Sequence, residues 1–198
     1  MAQNIPTTSI MLAGVGGQGT ILAAKVLSEG LTRMDYDVKM SEIHGMSQRG
    51  GSVTSHVRFG SRVDSPVIAQ GGADCICGFE KLEALRCIPY LKKDGILIVN
   101  DLEIYPLPVL IGSAQYPEDV IERLTKNEEH CMVIKAHHEA RKLGNVRVEN
   151  ILLLGALIQQ LGLTEFPWQE VLQDLVKPAF VEMNLEAFSL GWSLAERS

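Results

Sequence analysis

The chain has 198 residues, 46% of them hydrophobic, and a formal net charge of −6. That is enough for one domain with a real core, and the absence of a basic run or Lys/Arg stripe argues against a nucleic-acid partner. The longest apolar run, ILLLGALI (Ile151–Ile158), is far short of the roughly 18 residues a membrane span needs, so no membrane association is expected. The amino-terminal residues lack a basic segment leading into a long apolar one, so the cytosol is the expected compartment. The four cysteines are then expected as reduced thiols.

A short apolar run, Ser9–Ala13, predicts a first strand. A glycine turn follows, then a helical pattern over about Thr20–Arg33 with Ile21, Ala24, Val26, Leu27 and Leu31 on its core face. YDVKMSEI reads as a second strand. SVTSHVRFG alternates apolar and polar positions and reads as a third, with GSRVDSPV turning into another extended piece. GADCICGFE reads as a short buried strand, and KLEALRCIPYLKK as a helix that Pro89 bends near its end. DGILIVND is almost wholly apolar, as in a parallel strand covered on both faces. PEDVIERLTKN has Pro117 and two acids in its first turn and reads as a helix. CMVIKA is the next strand, and HHEARKLG a short helix ended by Gly144. From about Arg147 the pattern is all helical: a helix apolar almost all round, one opening at Pro167, and a last helix from Pro178. The alternation predicts an α/β fold, an open, mostly parallel Rossmann-like sheet with helices on both faces. A single domain over residues 1–198 is expected, with 147–198 as a helical part packed on it.

GVGGQG (Gly14, Gly16, Gly17, Gln18 and Gly19 around Val15) fits G-x-G-x-x-G between a strand and a helix. Bare glycine backbone and a free helix amino-terminus suit a phosphate group. The same glycines would also serve any strand that turns tightly into a packed helix. A dinucleotide site would want an acid after the second strand, and Glu42 stands there, somewhat late. The second unusual segment is SEIHGMSQRGG (Ser41–Gly51). His44, Gln48 and Arg49 cannot be buried without partners, and Gly45, Gly50 and Gly51 permit close approach of another surface. If strands one and two run parallel, this loop and the glycine turn share the rim where ligands bind open α/β sheets. A solvated loop is the competing reading.

GVGGQGTILAAKVLSEG followed by SEIHGMSQRGGSVTSHVRFG resembles the gamma-type component of 2-oxoacid:ferredoxin oxidoreductases. The likeness continues through GADCICGFEKLEALRCIPYLKKDGILIVN and NILLLGALIQQLG, nearly the whole chain. The form HGMSQRGGSV resembles the small (beta) subunits of the indolepyruvate branch. The resemblance implies one subunit of an enzyme that oxidatively decarboxylates a 2-oxoacid to an acyl-CoA with thiamine diphosphate, magnesium and iron–sulfur clusters, and ferredoxin as acceptor. A hetero-oligomer with a large subunit is implied. From their shared rim, the glycine turn and the 44–51 loop are expected to face that subunit near its active site or coenzyme A path, with Gln48, Arg49, Gly50 and Gly51 as an active-site or subunit-interface loop.

The residues limit which part of that chemistry this chain can hold. Cys75, Cys77, Cys87 and Cys131 do not form the cysteine runs that clusters use, and no Gly-Asp-Gly motif of thiamine enzymes occurs. Both redox groups are therefore expected on the partner, and no metal is expected here. His137 and His138 point about 100° apart on a helix and read as a solvated helix start. No catalytic acid, base or nucleophile stands out; His44 and Arg49 are the only candidates. The last helix carries an apolar face wide enough either to be enclosed by its own domain or to dock on another chain. A stand-alone NAD(P)-binding reductase and a nucleotide-sensing domain are the alternatives.

Overall fold

The computed structural model describes residues 5–45, 50–128 and 130–196, the side chain of Asn127 excepted. Six strands form one sheet: β1 (Thr8–Val15), β2 (Asp37–His44), β3 (Ser52–Gly60), β4 (Ala73–Gly78), β5 (Leu91–Asn100) and β6 (Cys131–Ile134). Their order is β2-β3-β1-β4-β5-β6. β1, β4, β5 and β6 are parallel. β3 is antiparallel to both β1 and β2, so β1 and β2 point the same way. The chain leaves β1 toward one edge and later builds outward from β4 toward the other, which puts the topological switch point beside β1.

The apolar strands are explained by cover on both faces. On one face Ile10, Leu12, Cys75, Cys77 and Ile98 pack with α1 (Thr20–Arg33), α6 (Glu149–Gln160) and α7 (Trp168–Leu175). On the other, Met11, Ala13, Ile76, Leu97 and Val99 pack with α2 (Lys81–Cys87) and α4 (Val120–Asn127). Period-two alternation therefore buries both sets. α6 is buried all round, as its composition demands. It packs on α8 (Val181–Glu196), where Gly155 faces the Phe188 carbonyl and Gly191 the Leu152 carbonyl. A methyl group at Gly191 would overlap that oxygen. α8 is enclosed largely by its own domain: Val181, Leu185, Trp192 and Leu194 are partly buried against the core, and Phe180 before it stays exposed. No helix among the described residues is long and apolar enough to cross a membrane.

Some expected boundaries move. GSRVDSPV forms no strand. The helix opening at Lys81 stops at Cys87, because Pro89 lacks a donor N–H and passes the chain into a short 3-10 turn. β5 then begins at Leu91, and its register with β4 shifts between Ala73 and Cys75. Asp94 takes a left-handed φ of 64° within that irregularity, so Lys93–Gly95 lies inside the strand's start. A four-residue helix, α3 (Leu107–Leu110), is an addition. α5 (Ala136–Lys142) ends before Gly144, whose φ is 91°.

Candidate functional site

The turn after β1 is built by two kinds of glycine. Gly17 and Gly19 adopt left-handed φ values of 107° and 79°, which strain any side chain. Gly14 instead gives room: a methyl group there would stand 3.0 Å from Cβ of Phe79 and 2.8 Å from Oε1 of Gln18. Gln18 folds back into the turn. Its Oε1 accepts from the Val15 N–H at 2.7 Å, and its Nε2 donates to the Phe79 carbonyl at 2.8 Å. Gln18 thus supplies from within the acceptor that a bound phosphate would offer Val15. Gly14 is buried, whereas Gly16, Gly17 and Gly19 border the cleft beside the turn, Gly17 with open space around it and Gly19 against the Asn150 side chain. Gly19 caps α1 without a side chain, and Asn150 Nδ2 donates to the Gly19 carbonyl at 3.2 Å.

The polar segment after Ser41 is a hairpin connection between β2 and β3. It meets the glycine turn directly. Gly16 N–H donates to the Gly51 carbonyl at 2.8 Å, and Gly50 N–H donates to the Gly16 carbonyl at 3.3 Å. Gly50 is left-handed at φ 73°. The expected shared rim is therefore a hydrogen-bonded union. His44 ends the edge strand, exposed, with Nδ1 3.2 Å from the Gly45 carbonyl; among the described residues no hydrogen bond of its side chain reaches the glycine turn. Gln48 and Arg49 lie outside the described residues.

Beside the union is a cleft of about 460 Å³ at the carboxyl ends of the parallel strands. Gly16, Gly17, Gly19 and Gly50 form one wall, and Ile104, His137, Arg147 and Glu149 the other. His137 Nδ1 lies 2.9 Å from Glu149 Oε2. Burial pushes the Glu149 carboxyl above its ordinary range, while its bonds to His137 and Gln18 pull the other way. His137 is therefore not a bare solvated residue, although its neighbour His138 is exposed. Sequence reasoning missed Ile104, Arg147, Glu149 and Asn150. The one available signal was an acid and an amide opening the most apolar helix of the chain, where only buried partners make them affordable.

The geometry tells against a dinucleotide site. β3 stands between β1 and β2, so Glu42 pairs with Ser55, which pairs with Leu12. That places Glu42 two ladder spacings from β1, about 10 Å away. Nor do the cysteines fit a cluster. Cys75 and Cys77 lie in one core and Cys87 in the other, across the sheet. Burial pushes Cys77 up to about 12 and Cys87 and Cys131 up to about 11. Among the described residues no group of three or more His, Cys, Asp or Glu is placed to hold a metal ion.

Residues 9–194 match the family of pyruvate ferredoxin/flavodoxin oxidoreductases. The chain belongs to this family. Indolepyruvate oxidoreductase subunit IorB of Thermococcus kodakarensis is 40% identical over 193 residues, covering 95% of this chain and 96% of that one. The subunit of the same name from Archaeoglobus fulgidus is 35% identical, covering 94% of each. In fold the chain is similar to the gamma subunit of a keto/oxoacid ferredoxin oxidoreductase from Geobacter sulfurreducens, with a TM-score of 0.72 at 24% identity over 96% of this chain and 99% of that one. The gamma-type resemblance carried by the two glycine-bearing segments is met, as is the Rossmann-like fold.

Proposed function

We propose that the whole chain, 1–198, is the small, gamma-type subunit of a ferredoxin-dependent 2-oxoacid oxidoreductase of the indolepyruvate, or arylpyruvate, type. Decarboxylation and electron transfer are assigned to thiamine diphosphate, magnesium and iron–sulfur clusters on a large partner subunit. The observation that carries the role of this chain is the bonding of Gly16 to Gly50 and Gly51. It makes one surface of bare backbone at the rim where an anionic ligand and another subunit can both approach.

On this reading Gly16, Gly17, Gly19 and Gly50 admit a phosphate-bearing group of coenzyme A, and Arg147 faces its charge across the cleft. Glu149 holds the His137 ring through Nδ1, which fixes the imidazole against that wall. Gln48, Arg49 and His44 belong to the loop that meets the partner or the ligand. Gly14 and Gln18 support the turn from beneath.

Co-expression with the source organism's large subunit tests the reading. The expected result is a hetero-oligomer that reduces ferredoxin with indolepyruvate and coenzyme A, and neither chain active alone. A double variant, His44→Ala with Arg49→Ala, should lower assembly or turnover. If both stay at the wild-type level, the loop has no such role. Heat released on mixing the isolated chain with NADH or NADPH would favour the reductase reading instead.

A further inference from the structure

We propose that a pocket beside the glycine cleft is a second ligand site, built for a carboxylate carried on an aromatic body. The pocket holds about 400 Å³, within the range of small-molecule sites. It lies where the start of α1, the α5–α6 connection and the α7–α8 connection meet. Arg147 lines this pocket and the glycine cleft alike, so the two spaces adjoin.

The pocket offers an apolar body a place to bury. Leu22, Val148 and Val176 line it from three separate parts of the chain, the two valines 3% and 8% exposed. Leu175 and Phe180 line it as well, yet they are 40% and 49% exposed. An apolar ligand would take that surface out of water. Phe180 is held in place through its backbone. Its N–H donates to the Lys177 carbonyl at 2.9 Å, and its carbonyl accepts from Asn184 Nδ2 at 2.7 Å. A ring fixed in this way favours another flat ring beside it.

The polar groups name the rest of the ligand. Arg147 and Lys177 line the pocket and no acidic residue does. Neither side chain has an ion-pair or hydrogen-bond partner among the described residues. Two uncompensated cations call for an anion, and a guanidinium fork matches a carboxylate. The amides in the wall are mostly engaged already. Asn150 gives Nδ2 to the Gly19 carbonyl and Oδ1 to the Ile151 N–H, Asn145 Oδ1 accepts from the Arg147 N–H, and Asn184 Nδ2 holds Phe180. A nucleobase edge needs such groups free, whereas an apolar ring bearing one acid does not. Aromatic acids are also the substrate class of the subunit reading, on which the ligand's identity in the cell rests. Binding itself needs only this chain.

Calorimetric titration of the full chain with indole-3-acetate tests the site. One saturable site is expected, with indole and acetate each at least about tenfold weaker. Lys177→Met and Phe180→Ala, both at exposed positions, should each weaken binding several-fold with unchanged circular dichroism and thermal midpoint. An absence of saturable heat at millimolar indole-3-acetate overturns the proposal. So does binding that both variants leave at wild-type affinity, or indole binding as tightly as the acid. Adenosine 3′,5′-bisphosphate that binds more tightly than the acid, and loses its site in Phe180→Ala, would assign the pocket to a nucleotide and overturn it too. Binding of the acid to this chain, with no turnover of indolepyruvate by the co-expressed complex, would overturn the subunit reading and leave the site standing.

Discussion

Gln18→Ala isolates what holds the glycine turn. The substitution removes the bond to Glu149, which keeps His137, together with the acceptor of the Val15 N–H and one of two donors to the Phe79 carbonyl. That carbonyl keeps Asn100 Nδ2 at 3.1 Å, so most of the cost falls on the Val15 amide, in a residue 6% exposed. An orphaned buried donor costs about 1–3 kcal/mol. Gln18 is only half-buried and water can enter behind it, which points to about 2 kcal/mol. For a chain of this size that lowers the thermal midpoint by roughly 4–8 °C. Gln18→Glu keeps the acceptor but loses the donor and sets a carboxylate beside Glu149, so it should be at least as damaging as alanine. Urea unfolding and calorimetry measure both variants. A Gln18→Ala variant within about 0.5 kcal/mol of wild type, the ordinary range of surface changes, would refute the reasoning.

Other consequences follow from the same geometry. Burial raises Glu149 above its ordinary 4.5, so the native state holds that proton more tightly than the unfolded chain. Its stabilising contribution is full below the unfolded value and is lost as pH rises through the folded one. Glu149→Gln should flatten that part of the stability–pH curve relative to wild type, and superimposable urea-derived curves would contradict the assignment. Gly17→Ala, with φ 107° and open space around it, should cost about 1–2 kcal/mol for the left-handed backbone alone. Gly19→Ala should cost more, because its methyl group would also strike the Asn150 amide; unfolding curves ranking the two in the other order would refute this. Cys75 and Cys77 should resist alkylation in the native protein, being fully buried with raised pKa values. Cys131 is the least buried thiol and should react first, slowly, as mass spectrometry of the labelled protein would show.

Local and periodic information was legible before any tertiary structure. Strand Ser9–Ala13, the helix after Gly19 and the apolar run of β5 each follow from residue spacing, because backbone sterics and the need to bury one or both faces act over a few residues. The wide face of the last helix was legible as apolar, but not what covers it; α6 does so, through Gly155 and Gly191. The strand running through Lys93–Gly95 was missed because its irregular register with β4 is set by pairing across the sheet.

For the site, the sequence by itself determined the glycine turn and the polar hairpin loop, since both are contiguous and both need glycine for backbone reasons. Only the tertiary structure decided that Gly16 binds Gly50 and Gly51, and that Gln18 points inward. It also put His137, Arg147 and Glu149 opposite the turn, more than 100 residues away in the chain. Insertion of β3 between β1 and β2 separated Glu42 from the glycines and removed the dinucleotide geometry that spacing alone allowed. The physical reason is the same in each case: strand order and direction fix which ends share a rim, and those are set by long-range pairing that no local pattern encodes.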